Sequence, residues 1–451
     1  MDFEALFAKR ASHVKPGLER IQRSYNFLGR PGASIPSVLV GGTNGKGSTS
    51  GFLWSLFAQN AGEFGLYSSP HLIEFSERFQ LAQKSCSEEE VAAMWQSLQE
   101  SLPEDMYHEL SFFEVATLIA FKLFAERDVR CQVLEVGLGG RWDATNISDP
   151  LVSVLVSVSR DHEEFLGRDI KGILREKLGI MRPGRPLFWG DSGEICQEAD
   201  YRSLIVDKAR ELKSPIFQAR EHFFYDLELL HIQLPRITPL RLPVTGMWHT
   251  MPEYLKNNLA LAVAVYHYLS RTKLHLGLRP LTEIWSAWTE GQWRSPVTLL
   301  GRGQRITTHA ARGSKKLIID VCHNPDGARA FVESLQDREG SDPMPALVCV
   351  LRDKDLNVIL DTLRSALHPV ILFGIAHQRS WDPALLATRH QDLAFYPNLE
   401  AAWAAMRSET RENQSPWILC GSVLAVGQAL EWLEIAPKEL NVARVIGGDW
   451  S

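Results

Sequence analysis

The residues of this 451-residue chain that could do chemistry are concentrated in one short stretch. There Lys46 lies among glycines, and the hydroxyls of Ser48 and Thr49 follow it. Glycines let the backbone close around an anion, and the unpaired N–H groups of a helix N-terminus attract phosphates. The lysine adds a positive charge for the outer phosphates, and the hydroxyl of Ser48 or Thr49 suits Mg²⁺. We therefore predict a phosphate-binding loop, the glycine loop, formed by Gly42, Thr43, Asn44, Gly45, Lys46, Gly47, Ser48 and Thr49.

Two elements must position this loop. Val38-Leu39-Val40 is typical of a buried parallel strand, and the residues from Ser48 to Ala58 have helical spacing. The strict P-loop pattern places Ser or Thr directly after Gly-Lys, whereas Gly47 intervenes here. A glycine-rich turn that only packs is the alternative. The order of strand, glycines, lysine, hydroxyl and helix favours phosphate binding.

Composition limits the classes of function. The content of 45% hydrophobic and 23% charged residues is typical of a globular protein, and the length favours two domains. A net charge of −6 offers no basic surface, so we expect no nucleic-acid partner and no membrane partner. The six cysteines are scattered without a Cys-x-x-Cys pair, which indicates reduced, buried thiols. Without a secretory signal pattern or a long apolar run, the chain is expected to be cytoplasmic.

Polar residues follow several other predicted strands. Ser69 and His71 follow one strand, Glu135 ends another, and His162 follows a third. Ligands of α/β folds bind at the C-terminal ends of strands. The run Gly137-Leu138-Gly139-Gly140 suggests a dinucleotide site, but its spacing is not Gly-x-Gly-x-x-Gly and another strand follows instead of a helix. We therefore disfavour a nicotinamide site.

Strands and helices alternate along both halves of the chain, which predicts an α/β fold. We predict an N-terminal P-loop ATPase domain at residues 1–295 and a Rossmann-like domain at residues 296–451, with a linker from Thr289 to Pro296. The second domain is expected to have a mostly parallel sheet with helices on both faces. A small antiparallel layer is expected from Phe224 to Leu234.

Taken together, the motifs resemble the folylpolyglutamate synthase and dihydrofolate synthase family, within the Mur-type ATP-dependent ligases. They follow the family's order along nearly the whole chain: Gly42 to Ser48, Tyr67 to Leu72, Phe112 to Glu114, Glu135 to Asn146, Asp161-His162, Glu176 to Ile180, Gly301-Arg302, Asp320 to Pro325, Asp353 to Asp355 and Cys420 to Ser422. The resemblance implies a ligase of folate biosynthesis that activates a carboxylate with MgATP and joins it to L-glutamate. The acceptor is dihydropteroate, a folate polyglutamate or both, since bacterial-type chains of this kind are frequently bifunctional.

The resemblance also implies roles for individual residues. Two Mg²⁺ ions near the ATP phosphates would be held by Ser48, Ser69, Glu135, His162 and Lys177. Lys177 aligns with a lysine that such enzymes carry as a carbamate, an anion that can bind Mg²⁺ where an ammonium would repel it. The catalytic residues would be Lys46, Lys177, Arg302 and His323. Arg302 would contact the phosphates and His323 the transferred phosphate, while Asp320 would contact the ribose and Asn258 the nucleotide.

The pterin-containing substrate would contact Lys15, Pro16, Gly17, Ser111, Phe112, Phe113, Trp142, Asp143 and Ala144. Aromatic rings can stack on a flat heterocycle, although a phenylalanine in an apolar helix is more often a core residue. The chain departs from the family's usual residues on the substrate side, at Trp142, Arg160, Leu300, Val321-Cys322 and Tyr254-Leu255. A ligase of cell-wall precursors, a non-catalytic nucleotide-binding protein and a dehydrogenase are the alternatives. A monomer is expected.

Overall fold

The structure is a computed structural model that describes residues 3, 6, 16–82, 86–167, 169–192, 199–244, 246–272, 276–289, 299–308, 315–382, 385–386, 393–410 and 415–435. Two compact units divide the chain. The first comprises Met1–Thr245 and Asn257–Thr298, and the second comprises Gly246–Lys256 and Leu299–Ser451. The predicted linker lies outside the described residues apart from Thr289, as does the predicted domain boundary.

The first unit is built on a seven-stranded sheet in which only the edge pair is antiparallel. Its strands, in spatial order, are Phe79–Leu81, Phe64–Tyr67, Cys131–Glu135, Ser37–Gly41, Val152–Ser157, Leu187–Ser192 and Ile216–Gln218. Every residue of the central strand Ser37–Gly41 is buried, as expected for a parallel strand with helices on both faces. The glycine loop therefore begins at the C-terminal edge of the sheet.

The helices of this unit begin where capping residues are placed in the sequence. Ser87 pairs with Glu90, and Ser111 with Glu114, in two capping boxes. The α-helices are Glu19–Phe27, Lys46–Phe57, Glu88–Ser101, Glu104–Glu109, Phe112–Glu126, Glu163–Leu166, Ile170–Leu178, Ala199–Leu212, Glu253–Arg271 and Leu281–Thr289, and the 3₁₀ helices are Phe75–Arg78 and Ala144–Ile147. The first four residues of Glu253–Arg271 belong to the second unit. In the part of the chain that the structure describes, no helix has the length and apolar character needed to cross a bilayer.

A three-stranded antiparallel sheet of Leu240–Pro243, Leu229–Ile232 and Phe223–Tyr225 confirms the predicted small layer. Its strands were readable because apolar and polar residues alternate along them.

The second unit has a six-stranded sheet that is parallel except for its first pair. The strands, in spatial order, are Gln304–Thr307, Lys316–Asp320, Trp417–Cys420, Met344–Val348, Leu367–Phe373 and Ala394–Tyr396. Its helices are Met247–Thr250, Pro325–Glu339, Leu356–Arg364, Leu399–Glu409 and Val423–Trp432. The predicted parallel sheet is confirmed. The two outermost strands were missed because short edge strands carry little apolar pattern.

The predicted state of the cysteines is confirmed for the five that are described. Cys131, Cys322, Cys349 and Cys420 are buried with free thiols, and Cys86 is buried as well. Cys196 lies outside the described residues.

Candidate active site

The glycine loop joins the strand Ser37–Gly41 to the helix Lys46–Phe57, which begins two residues before the predicted start at Ser48. Gly45, the residue before the helix, has φ of 82°. A Cβ atom there would lie 2.7 Å from Oδ1 of Asn258, so only glycine fits. The backbone thus adopts the turn that was predicted, with the Asn258 amide against it.

Ser157, at the end of a neighbouring strand, fixes the shape of this loop. Its carbonyl accepts the N–H of Thr43 at 2.9 Å, and its hydroxyl accepts the N–H of Asn44 at 2.8 Å. The hydroxyl of Thr43 donates to the carbonyl of Ser159 at 3.0 Å. These bonds hold the loop open in a defined conformation. The sequence reading missed this contribution because Ser157 and Ser159 look like ordinary strand residues.

Two lysines converge on one carbonyl of the loop. Nζ of Lys177 donates to the carbonyl oxygen of Gly42 at 2.7 Å, and Nζ of Lys46 donates to the same oxygen at 3.2 Å. Burial and the charge of Lys46 lower the pKa of Lys177 to about 7. The structure therefore brings together two of the predicted catalytic residues, beside a backbone suited to an anion.

Glu135 lies next to the other end of the loop. Its carboxylate is buried and accepts the N–H of Ser69 at 3.0 Å. Oε1 and Oε2 lie 3.4 and 3.5 Å from the position that a Cβ atom would take at Gly47. Gly47, which breaks the strict P-loop pattern, therefore leaves room beside this carboxylate. Thr49 Oγ1 is buried and has no hydrogen-bond partner among the described residues, so it can accept or donate to a bound group.

His162, another of the predicted metal ligands, is exposed and has φ of 53°. Its N–H donates to Oδ1 of Asp161 at 2.8 Å. Across the described ranges, no three or more His, Cys, Asp or Glu side chains form a group that could hold a metal. The predicted set instead combines two hydroxyls, one carboxylate, one imidazole and one lysine, so its role as a metal site stays a prediction.

Several predicted substrate contacts have structural roles in this unit. Oγ of Ser111 accepts the N–H of Glu114 at 3.3 Å and so caps a helix. Phe112 is 4% exposed, and its ring centroid lies 5.1 Å from that of Phe75 within the core. Phe112 therefore packs in the core, which was the alternative interpretation of this residue. Phe113 is half-buried, and its ring carbon Cζ lies 2.6 Å from the Cβ position of Gly137, so glycine is required there.

Asp143 shapes the glycine-rich segment that resembled a dinucleotide site. Its Oδ2 accepts the N–H groups of Gly137 and Leu138 at 3.0 and 2.9 Å, and its Oδ1 accepts the N–H and hydroxyl of Thr145. Burial raises the pKa of Asp143, while these hydrogen bonds oppose the rise. The Asp143 carboxylate is thus engaged within its own segment.

The remaining predicted substrate residues differ in exposure. Ala144 is buried, Pro16 is exposed, and Gly17 has φ of 132°. Trp142 is 47% exposed, and its ring centroid lies 6.0 Å from the guanidinium carbon of Arg141. Trp142 is thus the aromatic ring of the predicted set with the most surface left for stacking. Lys15 lies outside the described residues.

In the second unit, Asp320 is the most constrained of the predicted residues. Its Oδ2 accepts the hydroxyl of Tyr254 and the N–H of Gly303, both at 2.7 Å, and its Oδ1 accepts the N–H of Cys322 at 2.8 Å. Burial raises the pKa of Asp320, and the charge of Arg302 opposes this. Sequence reasoning assigns no role to Tyr254, which differs from the residue that is usual in the family.

Arg302 and His323 of the second unit are both half-buried. Arg302 lies in the turn before the strand Gln304–Thr307, and His323 follows the strand Lys316–Asp320. Asn324 caps the next helix by accepting the N–H of Gly327 at 2.8 Å. The end of a parallel strand and the start of a helix thus flank His323, which is where ligands of α/β folds bind.

No model of a protein family matches the chain. A protein of Buchnera aphidicola subsp. Acyrthosiphon pisum named dihydrofolate synthase/folylpolyglutamate synthase is 30% identical over 366 residues, which cover 79% of this chain and 78% of the relative. The chain belongs to the dihydrofolate synthase/folylpolyglutamate synthase family.

Solved structures of this family share the fold. A bifunctional folylpolyglutamate synthase/dihydrofolate synthase with Mn, AMPPNP and L-glutamate bound has a TM-score of 0.75 and 28% identity, covering 96% of this chain and 98% of its own. E. coli FolC in complex with DHPP and ADP has a TM-score of 0.75 and 26% identity, covering 96% of each chain. The predicted α/β fold, with a P-loop ATPase part and a Rossmann-like part as in Mur-type ligases, is confirmed, as is the family resemblance.

Proposed function

We propose that this chain is an ATP-dependent carboxylate–amine ligase that adds L-glutamate to dihydropteroate, to folate polyglutamates or to both. The observation that carries the proposal is the glycine loop, where Lys46 and Lys177 converge on the carbonyl of Gly42. The family's solved structures, which were obtained with AMPPNP and L-glutamate or with ADP, support the same reaction.

The chemistry begins with a poor electrophile. A carboxylate cannot expel oxide at neutral pH, so the γ-phosphoryl group of ATP is transferred to one of its oxygens, forming an acyl phosphate and ADP. The amine of L-glutamate then attacks the acyl carbon, the amide bond forms, and phosphate leaves with the former carboxylate oxygen. Both steps need positioning and charge neutralisation rather than a side-chain nucleophile.

The loop supplies those requirements. The N–H groups at the start of Lys46–Phe57 and the open turn at Gly45 suit the phosphates, and the ammonium of Lys46 suits the charge that moves during transfer. Asn258 lies beside Gly45 and is proposed to contact the nucleotide. In the second unit, Arg302 is proposed for the phosphates, Asp320 for the ribose and His323 for the transferred phosphate.

Ser48, Ser69, Glu135, His162 and a modified Lys177 are proposed to hold two Mg²⁺ ions. The buried Glu135 carboxylate beside Gly47 and the unpartnered Thr49 hydroxyl within the described residues fit a bound metal–phosphate group. Mg²⁺ neutralises phosphate charge and orients the transferring group. The divalent metal of the family structure with AMPPNP supports this assignment.

We also propose that Lys177 is carbamylated. A neutral amine adds to CO₂ and releases a proton, and the pKa of Lys177, lowered to about 7, leaves much of this side chain neutral near physiological pH. Mass spectrometry of the intact protein in bicarbonate labelled with ¹³C tests the modification. Native spectra of active protein that lack the added mass would contradict the carbamylation. Lys177→Ala is the control, because this variant should gain no label.

Phosphate release from ATP with L-glutamate tests the function and chooses the acceptor. We expect release with dihydropteroate, with tetrahydrofolate or with both, accompanied by a product that is one glutamyl residue heavier. Release that needs a cell-wall precursor instead would favour the other ligase class. ADP binding without turnover on any acceptor would favour a non-catalytic nucleotide-binding protein.

The proposal includes a cytoplasmic monomer with domains at residues 1–295 and 296–451, and substrate contacts from residues 15–17, 111–113 and 142–144. Light scattering tests the monomer, and limited proteolysis tests the boundary. For the substrate contacts, Trp142→Leu tests the exposed ring by its effect on the KM of the pterin substrate.

A further inference from the structure

Arg78 lies in a buried aromatic pocket of the first unit and has no part in the reaction as described so far. The residue is 6% exposed, and its guanidinium carbon lies 5.6 Å from the ring centroids of both Phe75 and Phe112. Its Nε–H donates to Nδ1 of His71 at 2.8 Å, and its side chain also interacts with the hydroxyl of Tyr67. The two phenylalanines and Tyr67 are uncharged side chains, and Nδ1 of His71 carries no proton because it accepts the hydrogen bond from Nε.

The nearest carboxylates are engaged elsewhere. Glu77 acts on Arg78 through space, but its carboxylate accepts the backbone N–H groups of residues 72–74 at 2.7, 3.1 and 2.9 Å. Glu135 also acts through space and accepts the N–H of Ser69. Among the residues that the structure describes, no ion pair joins Arg78 to a carboxylate. Because a buried guanidinium without a counter-ion is costly, the fold retains a positive charge that an external anion can neutralise.

The surroundings of Arg78 restrict the shape of that anion. The centroids of the two rings lie only 5.1 Å apart, so both rings are on one side of the guanidinium, and Nδ1 of His71 accepts from Nε. Apart from the Tyr67 hydroxyl, the edge that carries the two Nη atoms has no further hydrogen-bond partner among the described residues, and such an edge binds carboxylates through parallel hydrogen bonds. Glu135, whose charge reaches Arg78, also borders Gly47 of the glycine loop. The pocket therefore lies near the place where a carboxylate would be activated.

We propose that Arg78 binds a carboxylate of a substrate and is a specificity-determining residue of the reaction. The inference rests on the proposed function, which brings two carboxylate-bearing substrates to this unit, the acceptor and L-glutamate. Both substrates present a carboxylate to an arginine, so the experiment tests the acceptor and L-glutamate separately. A phosphate of ATP is the competing anion, and the same experiment measures it.

The test uses the full chain with three variants. Arg78→Met removes the charge but keeps an unbranched side chain against the rings, and Arg78→Lys keeps the charge but removes the fork. Arg127→Met is the matched control, because Arg127 is paired with Glu90 in an ion pair away from the glycine loop. For each protein, the KM values for acceptor, L-glutamate and ATP are measured, together with the shift in Tm caused by pteroate, by L-glutamate and by MgADP.

We expect the KM for one carboxylate substrate to rise by about 10–100-fold in Arg78→Met and by less in Arg78→Lys, as for the loss of charge-assisted hydrogen bonds. The Tm shift caused by that substrate alone should disappear, while the shift caused by MgADP persists and shows that the variant is folded. An effect confined to pteroate assigns the site to the acceptor, and one confined to L-glutamate assigns it to the amino acid. Arg127→Met should match the wild type throughout.

Unchanged KM values for both carboxylate substrates in Arg78→Met would overturn the inference, as would a rise confined to ATP. A purely structural role would lower the Tm of the unliganded protein and leave the KM values unchanged in Arg78→Lys. Failure of the proposed function is distinguishable, because wild-type protein would then form no glutamyl product. The Tm shifts with pteroate and L-glutamate would still report on Arg78 in that case.

Discussion

In the first unit, the buried side chains of Lys177 and Arg78 donate hydrogen bonds to neutral groups, the carbonyl of Gly42 and the imidazole of His71. In the second unit, the buried carboxylate of Asp320 accepts hydrogen bonds from three donors of its own unit. The first arrangement leaves two nitrogen-bearing side chains for the chemistry proposed above, an anion at Arg78 and a carbamate at Lys177, whereas the three donors already satisfy Asp320. The comparison therefore separates side chains that act on ligands from one that maintains the shape of its surroundings.

This difference has consequences for mutation. Removing Lys177 or Arg78 should cost activity more than it costs stability. Removing a donor from Asp320 should cost stability, because a buried charge loses part of its solvation.

The largest effect is expected for Lys177→Ala. Turnover should fall by on the order of 10²–10³-fold or more, because the variant loses both the side chain and its proposed carbamate. Nucleotide binding should be largely intact, since Lys46 and the backbone of the loop remain. Phosphate release and the affinity for a fluorescent ADP analogue measure the two effects, with Lys171→Ala as a control at a half-exposed lysine paired with Asp200. Unchanged turnover would show that Lys177 does not take part in the reaction.

The second effect concerns the backbone of the loop. Gly45→Ala places a Cβ atom at φ of 82° and 2.7 Å from Oδ1 of Asn258. A non-glycine residue in this region costs about 1–2 kcal/mol, and the contact adds to that cost, so we expect ADP affinity to fall by about tenfold. Isothermal titration with MgADP measures the loss. Gly172→Ala is the control, because its Cβ position is 3.5 Å from the nearest atom, a side-chain oxygen of Asp169.

Tyr254→Phe tests the second unit. The variant removes the donor that lies 2.7 Å from Oδ2 of Asp320, so the free energy of unfolding should fall by about 1–2 kcal/mol. The KM for ATP should rise only a few-fold, because Gly303 and Cys322 still hold the carboxylate. Urea unfolding of Tyr254→Phe and Arg78→Met, side by side, sharpens the comparison. Equal losses of stability in the two variants would show that the units do not differ in the way proposed.

Much of this fold was predictable from the sequence because local and global signals agree. The run Val38-Leu39-Val40 is apolar on both faces, and Ser87 and Ser111 each have a glutamate three residues later. The glycine loop was predictable for the same reason, since its glycines are needed by the backbone itself.

Contacts between distant residues were not predictable in this way. Arg78 meets Phe112 and His71 only through tertiary packing, and Tyr254 meets Asp320 across 66 positions of sequence. The family resemblance implied a substrate contact for Asp143, but its carboxylate accepts hydrogen bonds from backbone N–H groups of the glycine-rich run. Residue type and spacing therefore identified where polar groups gather, but not which of them are already satisfied.

The last effect is on stability alone, a pH dependence that comes from Lys177. The pKa of this side chain is about 7 in the folded protein and 10.5 ordinarily, and burial is the main cause. Because the folded value is the lower one, the neutral amine contributes stability fully above about pH 10.5, and the contribution is lost as the pH falls through about 7. The variant Lys177→Met has no ionisable group at this position. The difference in unfolding free energy between wild type and Lys177→Met should therefore decline from pH 9 to pH 7, by at most about 1.4 kcal/mol per pH unit, and level off below pH 6.

Urea unfolding in CO₂-free buffer with a chelator measures this difference, since it keeps the amine unmodified and metal-free. Lys171→Met, at a half-exposed lysine, should run parallel to the wild type over the same range. Parallel curves for Lys177→Met as well would mean that Lys177 is not neutral in the unliganded protein. Lys177 would then carry an ammonium charge next to that of Lys46. An anionic ligand would then have two full positive charges to neutralise.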